Sequence, residues 1–287
     1  MNIQWYPGHM TKARRMMEEN IKLIDIVVEL VDARIPLSSK NPDIDRLAVN
    51  KKRLIIMNKA DLAAPSASEL WKGRFEEQGY AVLLFDARNN QRTKVITDRI
   101  REVCKDKLER DARRGIKNRP IRAMVVGIPN VGKSTLINSL AGKKMAQTGN
   151  KPGVTKGKQW IKLNKEVELL DTPGILWPKF EDQVVGERLA FIGSVNDQII
   201  QIEELAHRFL LDWQKITATA WSEQYGIEDD CQDPLTAIGL KRGCLKQGSG
   251  IDLHKTALLI FDEYRSGKLG RITLEMPESK ECTDERA

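Results

Sequence analysis

An α/β fold built on a six-stranded, mostly parallel sheet and followed by a small all-α domain is what this 287-residue chain predicts. Three observations carry the prediction. Short apolar runs alternate with helix-period stretches through the first half, the sign of strands joined by crossover helices. A glycine-containing loop stands between one of those runs and a helical stretch. After Pro178 the strand signals stop and only helical periods remain.

The elements follow in order. "MTKARRMMEENIKLI" places apolar residues at helical spacing and leads into the strand-like "DIVVELVDAR". "RLIIMN" is a second strand, "SASELWKGRFEEQG" a helix ending on Gly79, and "YAVLLFDA" a third strand. A long charged helix over about 90–114 leads through "GIKNRP" to a fourth strand, "IRAMVVG". "KQWIKL" and "VELLDT" read as an antiparallel pair turning at Asn164–Lys165. "IIQIEELAHRFLLDW", "DPLTAIGLKRGCL" and "DLHKTALLIFDEYRSG" are the helices of the second domain. The division expected is 1–180 for the α/β domain and 181–287 for the helical one.

Composition narrows the class. With 41% hydrophobic and 30% charged residues the chain reads as soluble and globular. Its most apolar windows, such as "IDIVVELV", are interrupted by Asp25 and Glu29, so no membrane partner is expected. The start lacks the apolar stretch of a secretory signal, and Cys104, Cys231, Cys244 and Cys282 are scattered without a Cys-x-x-Cys pair. Both features point to a cytoplasmic protein with reduced thiols. The net charge of +7 divides into +15 for residues 1–180 and −8 for 181–287. Residues 99–165 alone hold 18 basic and 4 acidic side chains, the composition of a face that meets phosphate backbones or of a solvated helix surface.

The chemistry is concentrated in three motifs. "GIPNVGKS", Gly127 to Ser134, fits Gly-x4-Gly-Lys-Ser between a strand and a helix, the context of a phosphate-binding loop. Its nucleotide-binding residues are Asn130, Val131, Gly132, Lys133, Ser134 and Thr135. Lys133 would reach the β- and γ-phosphates, and the Ser134 hydroxyl would bind Mg²⁺. "DTPG", Asp171 to Gly174, ends the last strand. Asp171 would hold Mg²⁺, and the Gly174 N–H would sense the γ-phosphate. Thr155, in "NKPGVTKG", is either the hydroxyl that completes the magnesium shell or an ordinary loop threonine. Lys133 and Gly174 count as catalytic groups through those phosphate contacts.

The third motif is "NKAD", Asn58 to Asp61, closing the strand "RLIIMN". A carboxylate accepts from guanine N1–H and N2–H₂, which adenine does not offer, and such buried polar pairs discriminate by about 10⁴–10⁵. Asp61 takes that role, Lys59 lays its stem on the base and Asn58 braces the loop. The next strand ends in "DAR", where the Ala87 N–H would meet guanine O6. In ordinary GTPases the phosphate loop comes first and the base reader last; here the order is reversed. Strands four to six of such a domain have been placed before strands one to three. The long helix and "GIKNRP" join the old ends, a rearrangement that surface termini permit.

The order "NKAD", "DAR", "GIPNVGKS", "GVT", "DTPG" resembles the circularly permuted GTPases. "WYPGHMTKA", "VDARIP" and "GKLGRITLE" are similar to the members that act in bacterial large-subunit assembly. The resemblance implies GTP and GDP as ligands and a precursor of the large (50S) ribosomal subunit as partner. It implies contacts to ribosomal RNA and ribosomal proteins from both domains. It also implies GTP hydrolysis coupled to a late assembly step and to release. In the helical domain only "LKRGCLK" is locally basic.

The residue after "DTPG" is Ile175, where a Ras-like protein uses Gln to orient water. A hydrocarbon cannot do this. Related GTPases use a K⁺ ion held by an Asn of the phosphate loop, and Asn130 stands at that place; it also reads as a residue chosen for loop geometry. His9, in "WYPGHM", is either a helix-start residue or an imidazole that Pro7–Gly8 brings over the γ-phosphate. A GTP-dependent RNA-binding module with incidental hydrolysis, or a P-loop metabolic enzyme with a fortuitous "NKAD", fits parts of the same pattern.

Overall fold

The computed structural model describes residues 3, 8–87, 93–116, 119–142, 159–178, 180, 182–246, 248 and 250–278. These fold into two compact units. The first is α/β, runs to Trp177 and takes the chain back at Glu275. The second is helical and holds Pro178–Leu274 together with Ile3.

Six strands form the sheet of the α/β unit: β1 (Ile26–Asp32), β2 (Lys52–Asn58), β3 (Ala81–Leu84), β4 (Ile121–Gly127), β5 (Gln159–Lys162) and β6 (Val167–Asp171). Their order is β3-β2-β1-β4-β6-β5, with every neighbour parallel except β5 and β6. β1 is buried along its whole length, as a central parallel strand covered on both faces should be. Its one charged interior residue, Glu29, is answered by Arg53 of β2 and by the Asn41 N–H. The two edge strands are the shortest, four residues each, which limits exposed ladder. The antiparallel turn forms as expected, because Asn164 Oδ1 accepts from both Glu166 N and Val167 N, at 2.8 Å each.

Helices α1 (Gly8–Asn20), α2 (Pro42–Leu47), α3 (Pro65–Glu77), α4 (Thr93–Val103), α5 (Lys105–Arg113) and α6 (Lys133–Ala141) complete this unit. Trp71 and Phe75 of α3 pack on Val31, Ile55, Met57 and Val82 of three adjacent strands. The single long helix expected near 90–114 is instead two. Buried Cys104 separates α4 from α5 with ψ of 11°. Its N–H still bonds Ile100 O while its carbonyl takes Lys107 N and Leu108 N, so the helix bends without losing its ladder.

The helical unit contains α7 (Gln183–Phe191), α8 (Ile202–Ile216), α9 (Ala220–Tyr225), α10 (Pro234–Lys241) and α11 (Leu253–Ser266). Its core is aromatic: Phe209 lies 5.4 Å from Phe191, 5.8 Å from Phe261 and 4.7 Å from Tyr264, centroid to centroid. Arg265 ties α11 to this core by donating to Phe191 O and Ala190 O and pairing with Asp197.

Candidate nucleotide site

Parallel pairing brings the carboxyl ends of β1, β2, β3, β4 and β6 to one edge of the sheet, where open α/β sheets bind ligands. All three sequence motifs lie there. The reversed order along the chain disappears in space.

The phosphate loop leaves β4 at Gly127 and enters α6 at Gly132, whose φ is +103°. An added Cβ at Gly132 would overlap the Asn58 side-chain nitrogen, so no side chain fits there. Lys133 is buried, and its Nζ donates to Gly127 O at 3.1 Å and Ile128 O at 2.7 Å. Burial pulls its ammonium down to about 8, with Asp171 opposing. Val131 is buried, whereas Ser134 and Thr135 are half-buried in the first turn of α6. That turn carries the positive end of the helix dipole and the N–H groups of a helix start, the setting in which helices bind anions.

Asp171 ends β6 facing this loop. Both carboxylate oxygens are buried without a side-chain partner, and the Thr172 backbone N–H favours their charged form. Burial pushes the carboxyl up to about 6, against the nearby Lys133 charge. A buried oxygen pair of this kind fits a hard divalent cation, which would restore the charged form. The Ser134 hydroxyl is the second donor expected; Thr155 lies outside the described residues. Among the described residues no three His, Cys, Asp or Glu side chains are grouped so as to hold a metal ion by themselves. Gly174 touches the loop so closely that an added Cβ would stand 2.8 Å from Lys133 Nζ and from Pro129 N and Cα. Ile175 follows, buried, with its N–H on Gly127 O at 3.3 Å.

The "NKAD" loop is fastened to the Gly127–Ser134 loop twice. Asn58 Nδ2 donates to Val131 O at 2.7 Å, and its Oδ1 accepts the Ala87 N–H at 3.0 Å. Asn58 thus braces the loop, while Ala87 spends its N–H on Asn58 and would have to share it to meet a base. Lys59, in the left-handed region at φ 58°, donates from Nζ to Asn130 O at 2.9 Å. Its ammonium also sits 3.0 Å from Asp32 Oδ2. Asp61 follows in a turn closed by Leu62 N to Lys59 O. Asn130 itself has φ 58°, a conformation Asn tolerates better than most residues, so backbone geometry alone already favours it there.

Three residues join the site that the motif reading did not assign to it. Asp32, in register with Asn58 across the β1–β2 pair, is the counter-charge of Lys59. Burial works against its charge, but Arg34 and Lys59 outweigh it and hold the carboxyl well below the usual carboxylate range. Asn41 caps α2 through Oδ1 and donates from Nδ2 to Ile175 O at 3.2 Å. Ser139 of α6 donates to Ala87 O at 2.8 Å. The signal for Asp32 was available: "VDAR" ends the strand beside the one that carries "NKAD". His9 is exposed in the first turn of α1. The next residue, Met10, is buried and accepts the Leu176 N–H on its sulfur at 3.5 Å, which sets the start of α1 beside the segment after Gly174.

Residues 122–228 match the family model described as 50S ribosome-binding GTPase. That match starts at the strand before the "GIPNVGKS" loop and leaves out the upstream "NKAD", consistent with permutation. A ribosome biogenesis GTPase A of Bacillus cereus is 50% identical over 97% of this chain and 95% of its own length. The protein of that name from Thermotoga maritima is 32% identical over 96% of this chain and 95% of its own. A solved GNP-bound structure of YlqF from T. maritima superposes with a TM-score of 0.68 at 29% identity, over 93% of this chain and 99% of that one.

Proposed function

The chain belongs to the ribosome biogenesis GTPase A family and hydrolyses GTP, and from that premise we propose that it binds a maturing large ribosomal subunit in its GTP form. Hydrolysis then accompanies a late assembly step and releases it. The observation that carries this reading is the meeting of the phosphate loop, "NKAD" and "DTPG" at one sheet edge, with Asp171, Lys133 and Gly174 in mutual reach. Asp61 reads guanine, Lys59 lays its stem on the base, Asn58 braces the loop, and the Ala87 N–H, shared with Asn58 Oδ1, meets guanine O6. Lys133 and the α6 N-terminus hold the phosphates. A magnesium ion held by Ser134, Asp171 and Thr155 would neutralise charge that develops on the phosphate oxygens.

Ile175 is buried and apolar, so attacking water must be oriented by another group. His9 is the candidate, because its neighbour Met10 is anchored to the segment just past Gly174. Productive placement of the imidazole waits for the subunit. Asn130 is the residue positioned to hold a K⁺ ion. In the helical unit, exposed Lys241, Arg242 and Lys246 form the basic stretch offered to RNA. A protein that acts on ribosome precursors would work in the cytoplasm.

Sedimentation of large-subunit particles with the protein and either a GTP analogue or GDP tests the reading, with turnover measured with and without particles. Preferential binding with the analogue and particle-stimulated turnover are expected. His9→Ala should keep both binding events and lose most of the stimulation, a factor on the order of 10³ where such groups complete a GTPase site. Equal binding in both nucleotide states would sink the timer, and stimulation within about twofold of wild type in His9→Ala would sink the role of His9.

A further inference from the structure

The same strands that end at the nucleotide begin at a second concave surface. A cleft of about 600 Å³ lies between α5 and the segments that enter β1, β2 and β4. Its walls carry Lys51, Lys52, Lys107, Arg110, Arg114 and Arg119 against three carboxylates, Asp25, Asp106 and Asp111. β1 and β2 each span seven residues from here to the base reader, roughly 20 Å at about 3.3 Å per residue. The cleft is therefore separate from the nucleotide site.

The carboxylates are largely consumed by the fold. Asp25 Oδ2 accepts the Arg122 N–H at 2.9 Å and pairs with Lys107 at 3.4 Å. Lys107 also pairs with Asp111 at 3.0 Å. These three half-buried or buried groups form a closed floor. Asp106 meets Lys52 at 3.1 Å, but both are mostly exposed, and such a pair yields readily to a competing anion. On α5 Glu109 engages Lys105 and Arg113, whereas Arg110 and Arg114, four residues apart, share the cleft side of the helix. Both are exposed, as is Arg119 beyond them. Three guanidinium groups thus rim an open groove whose own acids are engaged below. Guanidinium forks match phosphate oxygens in pairs, and an open row of them suits a repeated charge better than a single enclosed anion. Nucleotide binding makes no demand on this surface; α5 belongs to the segment that the permutation sets between β3 and β4.

We infer that the cleft between α5 and the amino ends of β1 and β2 is a docking groove for an RNA phosphodiester backbone. The inference rests on the ribosomal reading above for the source of that RNA. It puts the RNA-binding face of the α/β unit on the sheet edge away from the nucleotide, so that substrate and RNA are held at opposite ends of the same two strands.

The test is the double variant Arg110→Gln/Arg114→Gln, assayed on large-subunit particles and on protein-free large-subunit RNA over a range of salt. Both side chains are exposed, so folding, GDP affinity and intrinsic GTPase rate should match wild type. Binding to both probes should weaken, and the slope of log affinity against log salt should fall by roughly 1.4–1.8, two contacts at about 0.7–0.9 each. Arg110→Lys/Arg114→Lys should keep most of the slope. A Gln variant that binds both probes like wild type overturns the groove and leaves the ribosomal reading standing. Loss on particles with unchanged binding to free RNA also overturns it, in favour of an acidic ribosomal protein. Wild-type binding to free RNA alone, with the slope lost in the Gln variant, supports the groove while sinking the ribosomal reading.

Discussion

Asp32 is the residue on which the "NKAD" loop rests, and its surroundings make the claim testable. Its carboxylate receives Arg34 Nε at 2.9 Å and a terminal guanidinium nitrogen at 2.8 Å, with Lys59 at 3.0 Å, all but out of solvent. Its depressed titration means that this stabilisation is present above the ordinary carboxylate range and is lost only in strong acid. Asp32→Asn should destabilise by about 3–5 kcal/mol, because it leaves the buried Arg34 charge unmatched. Adding Arg34→Met should restore much of the melting temperature. It should not restore GDP affinity, since Lys59 still lacks its counter-charge; full recovery of affinity would make Asp32 a structural partner of Arg34 only. Asp171 titrates in the opposite sense. Burial raises it to about 6, so its neutral form is favoured in the fold, and any stability it contributes is present in acid and lost as pH rises through 6. A divalent cation needs the charged form. Mg²⁺-dependent GDP affinity should therefore fall about tenfold per pH unit below 6, and Asp171→Asn should flatten that part of the profile. Titrations of a fluorescent GDP at fixed Mg²⁺ would read both, and an equally steep profile in the variant would exclude Asp171 as the origin.

At the scale of elements, what could be read from the sequence was whatever is local. The central strands were visible within a few residues because a parallel strand buried on both faces is a near-continuous apolar run, as in "IVVELVD" and "IRAMVVG". The "GIPNVGKS" and "NKAD" loops were visible because their residues sit at fixed short spacing after such strands. Helices α7 and α9 gave weaker signals. "QVVGERLAF" carries a glycine in mid-helix, where Gly186 packs against Ile3 and Phe180, and "AWSEQY" is six residues long. The bend at Cys104 was hidden for a different reason: the charges run on without a break, and the residue that turns inward is a single small apolar one. Asn41 and Ser139 escaped because their partners, Ile175 and Ala87, are far away in sequence. The phosphate loop itself still carries two readings of Asn130, and its element-level geometry sets the experiment. Its φ of 58° and the carbonyl contact to Lys59 are backbone properties, so Asn130→Gly should preserve the loop and GDP binding. If the side chain also ligates K⁺, wild-type hydrolysis should be faster in K⁺ than in Na⁺, and that difference should vanish in Asn130→Gly. Equal wild-type rates in both salts would leave Asn130 with loop geometry alone.

Over the whole molecule the chain changes units at both ends. Ile3 belongs to the helical unit, where its N–H donates to Gln183 Oε1 at 3.0 Å, and Glu275 belongs to the α/β unit. Glu275 is buried, and its carboxylate accepts Leu37 N at 2.7 Å, Ser38 N at 3.1 Å and the Ser38 hydroxyl. Its carbonyl takes Trp71 Nε1 at 2.9 Å. The segment it holds, residues 33–41, begins after Asp32 and ends at Asn41, whose amide holds Ile175 O. One acid from the far end of the chain thus supports a loop that touches the base reader's counter-charge on one side and the segment after Gly174 on the other. Glu275→Ala removes charge-assisted bonds and strands buried donors, a loss on the order of 2–3 kcal/mol. For a unit of this size that is a fall in melting temperature of roughly 5–10 °C. Glu275→Gln, which keeps acceptor oxygen but not charge, should fall between. Because Asn41 contacts the segment that follows the proposed γ-phosphate sensor, Glu275→Ala should weaken binding of a GTP analogue more than binding of GDP at a temperature where the fold is intact. Equal losses for the two nucleotides would make residues 33–41 plain scaffold, and a variant that melts with wild type would remove Glu275 from the account of the α/β unit altogether.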